Sequence, residues 1–385
     1  MMTADHPLAG LHVCVVSTAH PLDDVRVTSK LVDSFLQGGC RVTWVGTDLS
    51  AFHDRYRHSG VDYRLVPPAR GRLGRLALRW RLRGSLRDLR DVDWFYAPTP
   101  DACEIAVNVA RRQGGRVLYD LLEAYHRGLL DRYVGGREAR ALRSYVQRRV
   151  TRVCAEADLV SYVSEPVRRH YDSPDADFVL VRSCAPRWFA EGAPTSTPPA
   201  ADGLRVLHGK LSAINGTAPL FAALRLLPDS VACRVVIVVD PDAPTDTSMM
   251  SEVRDLEEKG RLEVLAPVAH ALMPAVMRTC QLGLIAYPRS LGAESLPNRL
   301  FEYMACGVAV AAPSYSPEIL RILTEEDIGR GFDAEDPVAI AAMLTWASEN
   351  LPELIEAGDR ARRAFLARHN WDAEFERLTR AMTRP

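Results

Sequence analysis

Short, almost wholly apolar runs alternate along the chain with longer stretches of mixed character, a rhythm that predicts strands separated by helices. Leu11–Ser17 (LHVCVVS), Arg41–Val45 (RVTWV), Asp93–Ala97 (DWFYA), Arg116–Tyr119 (RVLY), Leu159–Val163 and Phe178–Val181 read as the strands of a first half. Their near-continuous apolar character suits parallel strands covered on both faces. Leu204–Gly209 (LRVLHG), Arg234–Val239, Leu262–Leu265, Leu282–Ala286 and Val308–Ala312 repeat the rhythm in a second half. Between the two series, PRWFAEGAPTSTPPAADG has the Pro, Ser, Thr, Ala and Gly content of a linker. The expected fold class is α/β, with two doubly wound Rossmann-like domains. Their expected limits are 1–190, a linker at 191–203, a second domain at 204–368 and a terminal segment at 369–385. In that last segment a helix is predicted from Asn370-Trp371-Asp372 to Met382.

One predicted helix carries a distinct set of polar side chains. In RSLGAESLPNRLFEYMACG, Ser295 is the expected N-cap, Pro297 falls in the first turn and Gly307 ends the helix. Leu296, Leu300, Phe301 and Met304 recur at helical spacing and should face the core, leaving Ser295, Asn298, Arg299 and Glu302 on another face. A carboxylate that accepts ribose hydroxyls, beside a guanidinium and a helix N-terminus that favour phosphate, suits a nucleoside diphosphate. The same residues also allow a plain surface ion pair between Arg299 and Glu302 at i, i+3. In the loop GKLSAINGT, Gly209, Lys210 and Gly216 precede another predicted helix and form a reasonable phosphate cradle. The first half lacks G-x-G-x-x-G, and Asp23 and Asp24 at its first helix start would repel a phosphate, so the nucleotide is expected in the second half.

Glu294 and Glu302 stand in an E-x7-E relation, and AESLPNRLFEYMACGVAVAAP resembles the donor-nucleotide motif of family 4 glycosyltransferases of the GT-B fold. The resemblance implies two domains facing a cleft, with the terminal helix crossing back to the first. By it, Glu302 holds the ribose, while Glu294, Ser295, Leu296, Pro297 and Asn298 meet the sugar and phosphates. Lys210 matches the Arg of the family's GRLxxxKG loop and Asn215 replaces its Lys, a loss that Arg299 would make good. Lys210, Arg299 and Glu294 are then the catalytic set, and Gly209, Asn215 and Gly216 line the donor. The segment HPLDDVR resembles HPPDDPR of one subgroup, which puts His20, Asp23, Asp24 and Arg26 on the acceptor side; ordinary helix capping by Asp23 or Asp24 is the alternative. YDLLEAYHRG resembles YDSHE, with Glu123 on the acidic position and also acceptor-side. Leu122 replaces the His of that segment, and Pro98 occupies the place of a histidine that often contacts the donor sugar. His126 is either its substitute or a surface histidine.

The implied activity is metal-independent transfer of a hexose from a nucleotide sugar to a hydroxyl or amine, with retention of configuration and no cofactor. The residues do not choose among UDP, GDP and dTDP. Other readings are a non-catalytic glycosyltransferase-like partner protein, an NDP-sugar epimerase or a hydrolase.

At 385 residues and a net charge of −1, nothing global calls for a nucleic-acid partner. The eight cysteines are scattered singly, without C-x-x-C or a Cys/His cluster, and read as buried apolar residues in a reducing compartment. MMTADHPLAG lacks the features of a signal peptide, and no apolar run approaches a membrane span, so a cytoplasmic location is expected. From Arg70 to Arg90, eight arginines interleave with leucines and Trp80. Such a helix either packs on its domain with a solvated basic face or lies on anionic lipid as a peripheral contact. The acceptor is accordingly a small molecule, a glycan or a lipid-linked molecule.

Overall fold

The computed structural model describes residues 6–47, 57–68, 71–126, 136–192, 203–212, 215–239 and 247–384. They divide into two compact units, one of 1–182 with 374–385 and one of 183–373. Of the expected linker, 193–202 lie outside the described residues.

In the first unit, β1 (His12–Ser17), β2 (Arg41–Thr47), β3 (Val61–Val66), β4 (Trp94–Ala97), β5 (Arg116–Leu121), β6 (Leu159–Tyr162) and β7 (Phe178–Leu180) form one sheet. Its order is β3-β2-β1-β4-β5-β6-β7, and all pairs are parallel. A π-helical stretch (Val27–Val32) runs into α1 (Asp33–Gln37), and α2 (Gly71–Arg87), α3 (Pro100–Gln113), α4 (Gly136–Glu156) and α5 (Glu165–Arg169) follow. Leu78, Leu82 and Leu86 of α2, Ile105 and Ala106 of α3 and Val150 and Val153 of α4 close one face of this sheet over Val16, Phe95 and Val117.

In the second unit, β8 (Leu204–Lys210), β9 (Cys233–Val238), β10 (Leu262–Leu265), β11 (Leu282–Leu284), β12 (Ala309–Pro313) and β13 (Gly329–Phe332) pair in the order β10-β9-β8-β11-β12-β13, again parallel. The helices are α6 (Thr217–Leu226), α7 (Thr247–Glu258), α8 (Met273–Met277), α9 (Arg289–Gly292), α10 (Asn298–Cys306), α11 (Pro317–Glu326), α12 (Pro337–Glu349) and α13 (Leu351–Arg368), followed by α14 (Trp371–Met382), which belongs to the first unit from Glu374 onward. Phe221 of α6 and Leu344 of α12 cover one face of the sheet, and Phe301 of α10 and Phe365 of α13 the other. Strand order reverses between β1 and β4 in one sheet and between β8 and β11 in the other. In open parallel sheets such a reversal opens a crevice at the carboxyl ends of the strands, where ligands bind.

Two strands are absent from the sequence reading, and both are edges. β3 (VDYRLV) is half exposed along most of its length, so it lacks the buried apolar signature. β13 (GRGF) reads as a turn, yet Gly329 is needed there because a Cβ would stand 1.7 Å from the carbonyl oxygen of Val310.

The helix expected from Leu296 begins instead at Asn298, with Pro297 in the capping position. Leu296 precedes a proline and is held out of the helical region. Ser295 is therefore not the N-cap: its Oγ donates to Leu291 O at 2.7 Å. The other end is as expected, since Gly307 closes the helix at φ +72°. All eight cysteines are buried and none is joined in a disulfide, and among the described residues no helix is long and apolar enough to cross a membrane.

Candidate functional site

β8 leaves the sheet through Gly209, which adopts φ +90° just after a register shift. A Cβ there would lie 3.3 Å from the guanidinium of Arg299, so this side chain rests flat on bare backbone. Arg299 Nη1 donates to His208 O at 2.5 Å, and Tyr303, one turn further along α10, donates from its hydroxyl to Leu207 O at 2.8 Å. The Tyr303 ring fits because Gly283 of β11 has no side chain; a Cβ would sit 2.4 Å from it. Two carbonyls of β8 thus fix α10 and aim its arginine at the turn that follows.

That turn is held from inside. Thr217 Oγ1 donates to Ser212 O at 2.8 Å and accepts from Ser212 N at 3.1 Å, and Asn215 Nδ2 donates to Lys210 O at 3.0 Å. Asn215 therefore shapes the loop where the resembling family carries a cation. Gly216 opens α6 at φ +75°, and a Cβ on it would be 1.8 Å from Ala286 O, so no other residue fits. The first-turn N–H groups of α6 have no helical acceptors and carry the positive end of its dipole. Lys210 is exposed at the end of β8.

His208 is fully buried beneath this turn, with Nε2 3.3 Å from Thr217 Oγ1. Because the threonine hydrogen goes to Ser212 O, the imidazole must donate through Nε2, which leaves Nδ1 as an unprotonated buried acceptor without a partner. Burial and the neighbouring Arg299 charge push its pKa down to about 3. It is a neutral strut under the loop.

Glu302 does not pair with Arg299 on the surface. Its Oε1 lies 2.9 Å from His270 Nε2, and the carboxylate is largely buried. His270 begins a short 3-10 turn and is flanked by the rings of Phe189 at 5.2 Å and Trp188 at 6.1 Å. Glu294 is half buried in the segment after α9. Ser295, Leu296 and Pro297 form the lead into α10; Leu296 points into the core, and Asn298 opens the helix half buried.

The residues expected on the acceptor side lie in the first unit. His20 Nδ1 meets Asp24 Oδ2 at 2.9 Å. Burial pulls the imidazole pKa down, but the Asp24 hydrogen bond and charge outweigh it, and the net shift is upward; Asp24 is correspondingly lowered against its own burial. Asp24 also caps the following helix, its Oδ1 accepting from Val27 N at 2.8 Å. Asp23 beside it is exposed. Arg26 is buried and forked onto Asp120, Nε to Oδ2 and Nη2 to Oδ1 both at 2.8 Å, with Nη2 also on Val181 O at 3.0 Å. Asp120 completes its shell with the Tyr96 hydroxyl at 2.9 Å and Ser161 Oγ at 2.8 Å. Arg26 thus braces β5 and β7 rather than standing free for an acceptor. Glu123 is exposed just beyond β5. His126, expected as a substitute for the missing histidine or as a surface histidine, is buried, so the surface alternative falls; its Nδ1 lies 3.0 Å from the Tyr171 hydroxyl. Thr18 and Thr99 join the turns after β1 and β4 through their hydroxyls at 2.9 Å.

His208, Tyr303, His270 and Asp120 were not singled out from the sequence. Asp120 lies inside YDLLE and Tyr303 inside the E-x7-E segment, so position could have flagged both. His270 lies 32 residues before Glu302 in a segment without a motif, and only the fold unites them.

Residues 222–380 match the protein family described as glycosyl transferase-like. No curated protein matches the sequence. Among solved structures, Anabaena HepE in complex with UDP superposes with a TM-score of 0.71 at 14% identity, covering 97% of this chain and 99% of that one. Sucrose-phosphate synthase from Thermosynechococcus elongatus gives 0.71 at 14% identity, with 96% and 98% covered. A glycosyltransferase from Rickettsia africae gives 0.74 at 10% identity, with 97% and 98% covered. At these identities the likeness bears on fold. The chain has the GT-B fold of two Rossmann-like domains, and the family match runs from within α6 into α14.

Proposed function

We propose that the chain transfers a hexose from a nucleoside-diphosphate sugar to an acceptor hydroxyl or amine. The observation that carries this reading is the Arg299 guanidinium laid on Gly209, beside Lys210 and the start of α6. Here the diphosphate finds two cations and a turn whose glycines allow close approach of backbone N–H groups. Glu302, once its carboxylate is released from His270, accepts the ribose hydroxyls, and Glu294 with Ser295 to Asn298 orients the sugar. The UDP held by HepE supports a nucleotide in this role.

Breaking the glycosidic bond leaves an oxocarbenium-like sugar and a diphosphate with one more negative charge. Lys210, Arg299 and the α6 N–H groups stabilise that charge as it forms, which lowers the barrier. The departing diphosphate oxygen takes the acceptor proton on the face it leaves, so configuration is retained and neither a side-chain base nor a metal is required. His20, oriented by Asp24, and Glu123 meet the acceptor. A lipid-linked or membrane-proximal acceptor is favoured over a freely soluble one by the basic helix α2.

Calorimetric titration with UDP, GDP and dTDP tests the reading. One nucleotide should bind, and Glu302→Ala should weaken it by about 1 to 3 kcal/mol, the cost of losing a charged acceptor. A folded protein that binds none of the three sinks the proposal. Asn215 favours a second reading: its amide is committed to Lys210 O, so the turn carries one cation fewer than the loop it resembles. A catalytically silent partner protein would bind nucleotide, yet neither transfer sugar nor release nucleotide from any donor.

A further inference from the structure

Four of the nine exposed large apolar side chains among the described residues lie on just two helices of the first unit: Leu76 and Trp80 on α2, Leu142 and Tyr145 on α4. Trp80 is 67% exposed and Leu76 59%. They do not serve the core, because α2 already buries a separate stripe, Leu78, Leu82 and Leu86. The outward stripe runs Leu76, Trp80, Arg83, Arg87, at steps of four, three and four residues.

The two helices are locked together over α3. Arg79 Nη2 reaches Glu104 Oε2 at 2.7 Å, and Arg149 of α4 reaches the same carboxylate at 2.6 and 2.8 Å. Arg79 is thereby turned inward, while Trp80 beside it faces out. The apolar side chains of both helices stand within about two turns of this shared anchor.

Charge on this face is one-sided. α2 holds six arginines and no acidic residue, in a chain whose net charge is −1. Arg70 lies outside the described residues, as do the side chains of Arg72 and Arg75. Beside Trp80, a cavity of about 210 Å³ is lined by Arg83, Arg87 and Arg112 with Asn108 and Gln113, and the buried Nε of Arg83 has no acceptor there. Three guanidinium groups around a small cavity match one phosphate, and an indole beside it matches the boundary between headgroups and acyl chains.

We infer that this face docks the protein on an anionic phospholipid bilayer, with Trp80 and Leu76 entering the interface and Arg83, Arg87 and Arg112 holding a headgroup phosphate. The inference deepens the membrane-proximal acceptor reading and uses no residue of the donor site, so the two can fail separately.

The test is co-sedimentation of the full chain with vesicles of phosphatidylcholine alone or with about 30% phosphatidylglycerol. Binding is expected only to the anionic vesicles and should be lost in about 0.5 M salt. R83E/R87E/R112E should weaken it at least tenfold, and W80A several-fold, with unchanged melting by circular dichroism. R234E/R254E/R363E makes the same change in net charge on exposed positions of the second unit and should leave binding intact. The inference is overturned if wild type ignores anionic vesicles, if the second-unit variant loses binding equally, or if the protein captures heparin or an oligonucleotide but no vesicle. Nucleotide titration of the same samples reports the donor reading independently.

Discussion

The two crevices of this chain have one topology and opposite chemistry. At the β8–β11 reversal the backbone carries two positive-φ glycines and an arginine whose partner is a carbonyl, which leaves a full positive charge to be met from outside. At the β1–β4 reversal the nearby arginine is closed onto a buried carboxylate, and an aspartate stands where a phosphate would otherwise meet a helix start. A Rossmann-like sheet supplies a place for a ligand; whether that place takes an anion depends on which arginine is already neutralised.

The sharpest way to break this contrast is to remove each arginine in turn. Arg26→Ala strands Asp120, fully buried and left with only two hydroxyl donors. Such a loss costs about 3 to 5 kcal/mol, read as a lower denaturation midpoint. Arg299→Ala should change the midpoint far less and instead weaken nucleotide binding at least tenfold. Equal loss of stability in both would mean that Arg299 is a brace like Arg26. Gly216→Ala comes next. It combines a strained positive φ with a close approach to Ala286 O, for about 3 kcal/mol, and should abolish nucleotide binding in whatever protein still folds. No glycine of the first unit's β1 turn offers a matching target.

The buried histidine of the second unit gives a smaller and pH-dependent effect. With its pKa lowered to about 3, His208 binds fewer protons folded than unfolded, so stability falls as the pH drops below 6.5. At about 1.4 kcal/mol per pH unit, the loss is about 2 kcal/mol at pH 5. Denaturant titrations at pH 7 and pH 5 check it. His208→Gln keeps a donor for Thr217 and should flatten the difference.

Where the sequence reading succeeded, the physics was local. Buried parallel strands print a continuous apolar run, so most strands are found to within two residues, and Gly307 and Asn370 mark their helix ends because caps act within one turn. It failed at the sheet edges, β3 and β13, where side chains need not be apolar, and at Ser295, where the conformational veto of the following Leu-Pro pair outweighs capping preference. Within the candidate site, the glycines, Lys210 and Glu302 can be picked out of the sequence because backbone freedom and charge belong to the residue itself. The partners that decide their state, His270 on Glu302 and Asp120 on Arg26, lie far along the chain and are supplied only by folding.

The smallest predicted effect discriminates between two contributions of one side chain. Asp24 both caps the helix at Val27 and pairs with His20, and Asp24→Asn retains the capping acceptor while removing the charge. The His20 pKa is raised above 6.5, so the pair's stabilisation is complete below that value and fades as the pH climbs through the folded pKa; the lowered Asp24 pKa sets the acid limit below 3.8. Wild type should therefore exceed Asp24→Asn by up to about 1 kcal/mol near pH 6 and by less near pH 9. A gap that stays constant over that range would leave only the cap. With His208 losing stability towards acid and His20 losing it towards base, each crevice carries a histidine of opposite slope. Unfolding followed by probes placed in each unit should then show the second unit weaken first in acid, and the first unit give up its smaller share in base.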